Sequence, residues 1–166
     1  MKIDVSDLFK NKSTQKTIDL EIELEGFNYG YEYIPVINPI KFKGVLDLLG
    51  DMLKLKGCIS GTIELTCSRC LVKFPQDLNI EVNEKLSDDT EAVDKDEEVV
   101  FIDSDTLDIT EIVVNNIILS LPIKRLCKEN CKGLCQQCGT DLNSSSCNCE
   151  RNDIDPRLAK LKDFFD

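Results

Sequence analysis

Eight of the nine cysteines fall into close pairs: Cys67 with Cys70, Cys127 with Cys131, Cys135 with Cys138 and Cys147 with Cys149. Zinc takes four tetrahedral ligands, and two thiolates separated by two residues reach one metal from a single tight turn. Cys135-Gln136-Gln137-Cys138-Gly139 is such a turn, with Gly139 free to adopt a positive φ. Cys147-Asn148-Cys149 offers a second pair after an eight-residue gap. A complete four-thiolate site can therefore be written within residues 135–149, and Asn143-Ser144-Ser145-Ser146 is too polar for these to be buried core thiols. An iron–sulfur cluster uses the same four thiolates and is the alternative.

Cys67, Cys70, Cys127 and Cys131 are left as two incomplete pairs, and the economical expectation is that they share a second metal that ties the sheet to the end of a helix. Reduced thiols packed in a core, or Cys131 exchanged into the C-terminal site, stay open as alternatives. A thioredoxin-like redox role for Cys67 and Cys70 is disfavoured because no βαβ pattern surrounds them. Cys58, alone on an apolar strand, is expected in the core.

The rest of the composition narrows the chemistry. There is no histidine, so neither an imidazole base nor an imidazole ligand exists. No Gly-rich phosphate loop, nucleophile elbow or Ser–His–Asp set is present, and a closed four-cysteine site leaves no position for an activated water, so the chain reads as a non-enzyme without a small-molecule substrate. An odd number of cysteines cannot all pair as disulfides. Neither a bilayer-length apolar run nor a signal-peptide core is found, so a cytoplasmic, non-membrane protein is expected. The formal net charge of −11 opposes general nucleic-acid binding through phosphates.

These residues need a scaffold, and 166 residues suffice for one ordinary core plus a small appended module. Thr17 to Glu25 alternates with Ile18, Leu20, Ile22 and Leu24 on one face, which predicts a half-solvated strand. Val36 to Leu49 is mixed. Leu53, Leu55, Ile59, Ile63 and Leu65 return to period two, with Gly57 and Gly61 expected as bends or bulges, and Leu78, Ile80 and Val82 alternate again. Asp88 to Glu98 carries seven acidic residues and one lysine and reads as a loop; a short strand is expected at Val99 to Ile102. Asp108 to Glu111 has capping-box spacing ahead of a helix with Ile109, Ile112, Val113, Ile117 and Leu121, stopped by Pro122. Asp155-Pro156 reads as the start of a C-terminal helix. The expected fold is α+β: mainly an antiparallel β-sheet or partly open barrel, one long helix and a C-terminal zinc module. Residues 1–126 form the core domain with its acidic loop 88–98, and residues 127–166 the cysteine-rich module and final helix.

Thr66-Cys67-Ser68-Arg69-Cys70-Leu71 after an alternating strand, Leu121-Pro122 closing a helix, Cys131-Lys132-Gly133-Leu134-Cys135, Cys138-Gly139-Thr140-Asp141-Leu142-Asn143 and Ile154-Asp155-Pro156-Arg157-Leu158 together resemble the YceD-like family of large ribosomal RNA subunit accumulation proteins. The cysteine-rich tail is similar to the version in Gram-positive bacteria and plastids. The resemblance implies a bacterial cytosolic factor supporting synthesis, processing or stability of 23S ribosomal RNA.

Three classes of function compete within that frame. In the first, a zinc-stabilised module binds ribosomal RNA precursor through Arg69, Lys73, Lys124, Arg125, Lys128 and Lys132, which lie beside cysteines and would be gathered into one basic patch. In the second, an acidic adaptor holds a basic ribosomal protein or a processing nuclease. The third, a thiol redox or metal-delivery protein, needs an exchangeable metal or a reactive Cys67.

Overall fold

A computed structural model describes residues 1–9, 14–49, 52–87, 99–101 and 106–149. The acidic stretch 88–98 and the helix expected from Asp155 lie outside these residues. Among those described, the alternating segments become β2 (Gln15–Ile22), β5 (Met52–Thr66) and β6 (Lys73–Ser87), preceded by β1 (Lys2–Asp4) and the short helix α1 (Ser6–Phe9). The mixed stretch Val36 to Leu49 lies within the 18-residue β4 (Glu32–Leu49), which forms a hairpin with β3 (Gly26–Tyr29). β7 (Val99–Phe101), β8 (Thr106–Asp108) and α2 (Ile109–Ser120) follow.

The main sheet runs β2-β4-β5-β6-β7, with β3 also on β4, and is antiparallel except for the parallel β6–β7 pair. It is open rather than closed into a barrel. β1 pairs with β8 in a separate two-stranded sheet.

Period-two burial explains the pairing. Leu53, Leu55, Ile59, Ile63 and Leu65 on β5 are buried, as are Phe42 and Leu46 on β4 and Leu78, Val82 and Leu86 on β6. The register puts Leu46 opposite Leu55 and Phe42 opposite Ile59, so one face of the sheet is apolar across three strands. β4 looked mixed because its register shifts twice, between Val36 and Asn38 and between Asn38 and Lys41, each time adding one residue to β4. Two single-residue bulges restore the phase, so Ile34 and Ile40 both stay inward.

Gly57 and Gly61 are not the bulges. The β5–β6 register runs unshifted through both. They are small because a Cβ at Gly57 would lie 2.7 Å from the Phe42 ring and one at Gly61 2.7 Å from Ile40 Cδ1. Cys58 also departs from expectation: it stands on the face opposite Leu55 and Ile59, half-buried, with its thiol 3.1 Å from Asn79 Oδ1.

α2 covers the apolar face with Ile109, Ile112, Val113 and Ile117, joined by Val5 and Leu8 from the N-terminal segment. Burial of each such side chain stabilises by roughly 1.5–3 kcal/mol. The Asp108 carboxylate caps the helix by accepting the Thr110 N–H at 3.0 Å, and the Leu121 N–H bonds back to Ile118 O. At 12 residues the helix is of ordinary length, and Pro122 then turns the chain toward the cysteines. No helix among the described residues is long and apolar enough to cross a membrane.

Candidate metal centres

The connection from β5 to β6 is the first cysteine turn. Cys67 follows Leu65 on the buried side, its N–H bonds to Val72 O at 2.9 Å, and the Leu71 N–H bonds to Cys67 O at 3.0 Å. The price is Leu71, held at φ 60 although it carries a side chain. After α2 the chain returns past this turn: the Ser68 N–H bonds to Arg125 O at 2.8 Å and the Leu134 N–H to Arg69 O at 3.2 Å. Gly133, at φ 75, makes that approach possible, since a Cβ there would lie 3.0 Å from Arg69 O.

The result is an inner cluster of Cys67, Cys70, Cys127 and Cys131, with one sulfur from each lying within 4.8 Å of the others. Cys67 and Cys131 Sγ are 3.7 Å apart, and Cys70 and Cys127 Sγ 3.6 Å. A tetrahedron of thiolates about zinc has edges of about 3.8 Å, set by a Zn–S distance of about 2.3 Å; a disulfide needs sulfurs about 2.05 Å apart. The donor set and its spacing therefore fit one metal ion. Phe74, Leu126 and Leu134 pack around the cluster. It joins Cys67 and Cys70 from the sheet to two cysteines beyond residue 126, across the boundary drawn from the sequence.

An outer cluster brings Cys135, Cys138, Cys147 and Cys149 within the same 4.8 Å limit. Its first turn repeats the geometry of the inner one. The Gln137 and Cys138 N–H groups reach the Cys135 sulfur as those of Arg69 and Cys70 reach Cys67, and Thr140 serves Cys138 as Val72 serves Cys70. Gly139, at φ 73, occupies the place of Leu71. A small loop closes it, with the Cys135 N–H on Thr140 O at 2.8 Å and the Leu142 N–H on Gly133 O at 3.0 Å. Two groups of four cysteines could thus each hold a metal ion.

Ionisation within each cluster is divided. Burial raises Cys67, but the N–H groups of Cys127, Cys70 and Arg69 outweigh it and hold the thiol at about 6. Burial and the neighbouring sulfurs push Cys127 up to about 12. In the outer cluster the Thr140 hydroxyl and N–H hold Cys138 at about 6, while the Cys138 sulfur, with burial, pushes Cys149 up to about 12. Adjacent sulfurs cannot all carry charge unless a cation supplies the balance.

The cations expected to form one patch divide as well. Arg125 is the most enclosed: its side chain is 13% exposed, pairs with Glu32 at 2.5 Å and lies 5.5 Å over the Tyr29 ring. Arg69 donates to Cys131 O at 2.8 Å, and Lys73 pairs with Glu64 at 2.7 Å. Lys124, Lys128 and Lys132 have exposed side chains beside the inner cluster. Sequence reading missed Glu32 and Tyr29, although all three tyrosines of the chain fall at 29, 31 and 33. It also missed the role of Asn143, whose amide reaches the Cys131 sulfur at 3.5 Å and accepts the Lys132 N–H at 2.9 Å.

The family model described as large ribosomal RNA subunit accumulation protein YceD matches residues 55–165. The chain is 32% identical to the YlbN protein of Bacillus subtilis (strain 168), covering 98% of this chain and 95% of that one. A Mycobacterium bovis protein is 29% identical over 72% of this chain and 61% of its own length. A chloroplastic YCED homolog 1 of Zea mays, named as a large ribosomal RNA subunit accumulation protein, is 26% identical over 68% of this chain and 49% of its own. No solved structure matches. The chain belongs to the YceD family of large ribosomal RNA subunit accumulation proteins.

Proposed function

We propose that this chain supports large-subunit ribosomal RNA as a zinc-stabilised, non-catalytic binding module. The supporting observation is the pair of four-sulfur clusters, each gathered within 4.8 Å, with inner sulfurs 3.6 and 3.7 Å apart. Four thiolates fill the coordination of a single zinc and leave no position for a reacting water. A cluster of several irons bridged by sulfide must fit between its thiolates and would spread them wider, which favours a mononuclear ion. The maize relative's name and the family description point to the large ribosomal RNA. Lys124, Lys128 and Lys132 are the groups we assign to phosphate, with Arg69 and Arg125 holding the fold beneath them.

Metal analysis of the native protein, followed by affinity purification with and without nuclease, tests this reading. About two zinc ions per chain and nuclease-sensitive recovery of large-subunit precursor RNA are expected. Stoichiometric iron with sulfide would overturn the metal assignment. Recovery of a basic ribosomal protein that survives nuclease would favour the adaptor instead, a reading supported by the net charge of −11.

A further inference from the structure

The β3–β4 hairpin does more than extend the sheet. Its register puts Tyr29 opposite Glu32 on the side of the buried Phe27–Ile34 pair, so both face the segment leaving α2. There Arg125 lies over one face of the Tyr29 ring and pairs with Glu32. Between hairpin and segment is a cleft of about 400 Å³, lined by Tyr29, Glu32, Pro122, Ile123 and Arg125 together with Ser68 of the inner cysteine turn. Ile123 in its lining is fully exposed and Tyr29 is 44% exposed; Tyr31, next to Glu32 at the hairpin turn, is fully exposed as well.

We propose that this cleft holds one unstacked nucleotide of single-stranded RNA, its base against Tyr29 and Tyr31 and its phosphate outside on Lys124. The inference rests on the RNA-binding reading above and adds a site for the base to the lysines assigned there to phosphate. Three features select this occupant. An aromatic face and a guanidinium plane held rigidly together form a stacking surface that any base can use. The Glu32 carboxylate and the Ser68 hydroxyl suit the N–H and carbonyl groups of a base edge, and Glu32, by pairing with Arg125, competes with phosphate for that guanidinium. The exposed Lys124, adjacent to Arg125, supplies a cation just outside it. A duplex has its bases stacked and paired, so it cannot enter.

The test uses the full-length, metal-loaded chain and fluorescein-labelled ten-nucleotide RNA, single-stranded or annealed to its complement, read by anisotropy at low salt. Single strands should bind at least about tenfold more tightly than the duplex. Tyr31→Ala should weaken single-strand binding about 5- to 100-fold, the span of one lost base stack, while Tyr31→Phe keeps it. Lys124→Glu should weaken it further and flatten the salt dependence. Tyr31 is fully exposed, so metal content and melting should not move. If the wild type binds RNA but Tyr31→Ala and Lys124→Glu bind as well as it does, the cleft is not the site and the RNA reading survives. If the wild type binds neither RNA, both fall. Equal affinity for strand and duplex overturns the base-in-cleft arrangement alone.

Discussion

The two cysteine clusters share one local design and sit in opposite surroundings. Both start from a turn in which two N–H groups serve the first sulfur and one serves the second. The inner turn is the hairpin connection between the two longest-paired strands, and Cys67, Cys70 and Cys131 are buried with Phe74, Leu126 and Leu134 about them. The outer one has an exposed Cys138, and the backbone bonds that close it come from its own loop and Gly133. The inner cluster extends a core that exists without it. A small polar loop such as the outer one has little besides a metal to order it.

The largest expected effect follows from that difference. Cys67→Ser removes an inner ligand and leaves a hydroxyl at a fully buried position, so it should lower the melting temperature of the whole fold and loosen the outer loop with it. Cys138→Ser or Cys147→Ser should expose residues 135–149 to limited proteolysis while the sheet and the segment holding Cys127 and Cys131 keep their hydrogen-exchange protection. Equal protection of that region in wild type and outer variants would show that metal does not order the loop.

Chelation should separate the clusters in time. Cys138 is exposed and none of the outer cysteines is fully buried, so a chelator should strip that metal first, giving a biphasic release whose slow phase disappears in Cys67→Ser. Loading should release protons, because Cys127 and Cys149, pushed up to about 12, hold theirs at neutral pH. Apparent affinity should therefore rise with pH and fall as pH drops. A single release phase would erase the distinction between the clusters.

Much of this was legible in the sequence for a simple reason. Ligand pairs joined by two residues are local, so Cys135 and Cys138 declare their geometry without knowledge of the fold, and alternation in β2, β5 and β6 is equally local. β4 was obscured because two bulges break its period while restoring its phase. Cys58 was misplaced because apolar neighbours in sequence were read as neighbours on one face, although β5 sends it to the other side. Arg69 and Arg125 could not be told from surface cations because their partners, Cys131 O and Glu32, lie 62 and 93 residues away.

Arg125 gives an intermediate effect that sharpens the comparison. Its backbone carbonyl and side chain fasten the segment entering the inner cluster to Ser68 and Glu32. Arg125→Ala should cost about 1–2 kcal/mol in urea denaturation, discounted because Glu32 is partly exposed. Lys124→Ala, at an exposed position, should stay within about 0.5 kcal/mol. The outer metal should be retained in both variants. Loss of the outer metal in Arg125→Ala would mean that the clusters are coupled.

Small effects of opposite sign are expected at one position in each turn. Leu71 and Gly139 both follow the second cysteine and both have positive φ, 60 and 73. A side chain in that region costs roughly 1–2 kcal/mol, because Cβ crowds the following carbonyl. Leu71 bears this cost while 65% of its surface is exposed, so little packing offsets it. Leu71→Gly should relieve it, less the roughly 0.5–1 kcal/mol of added freedom in the unfolded chain, for a net gain below about 1 kcal/mol in thermal denaturation. Gly139→Ala meets no atom within 4 Å, so sterics with neighbours play no part and the backbone alone should weaken the outer turn by about 1 kcal/mol. That loss should be read in the fast phase of chelation, since the loop contributes little to melting of the sheet. A gain in both variants, or a Gly139→Ala effect confined to the slow phase, would show that the two turns do not respond to their surroundings in this way.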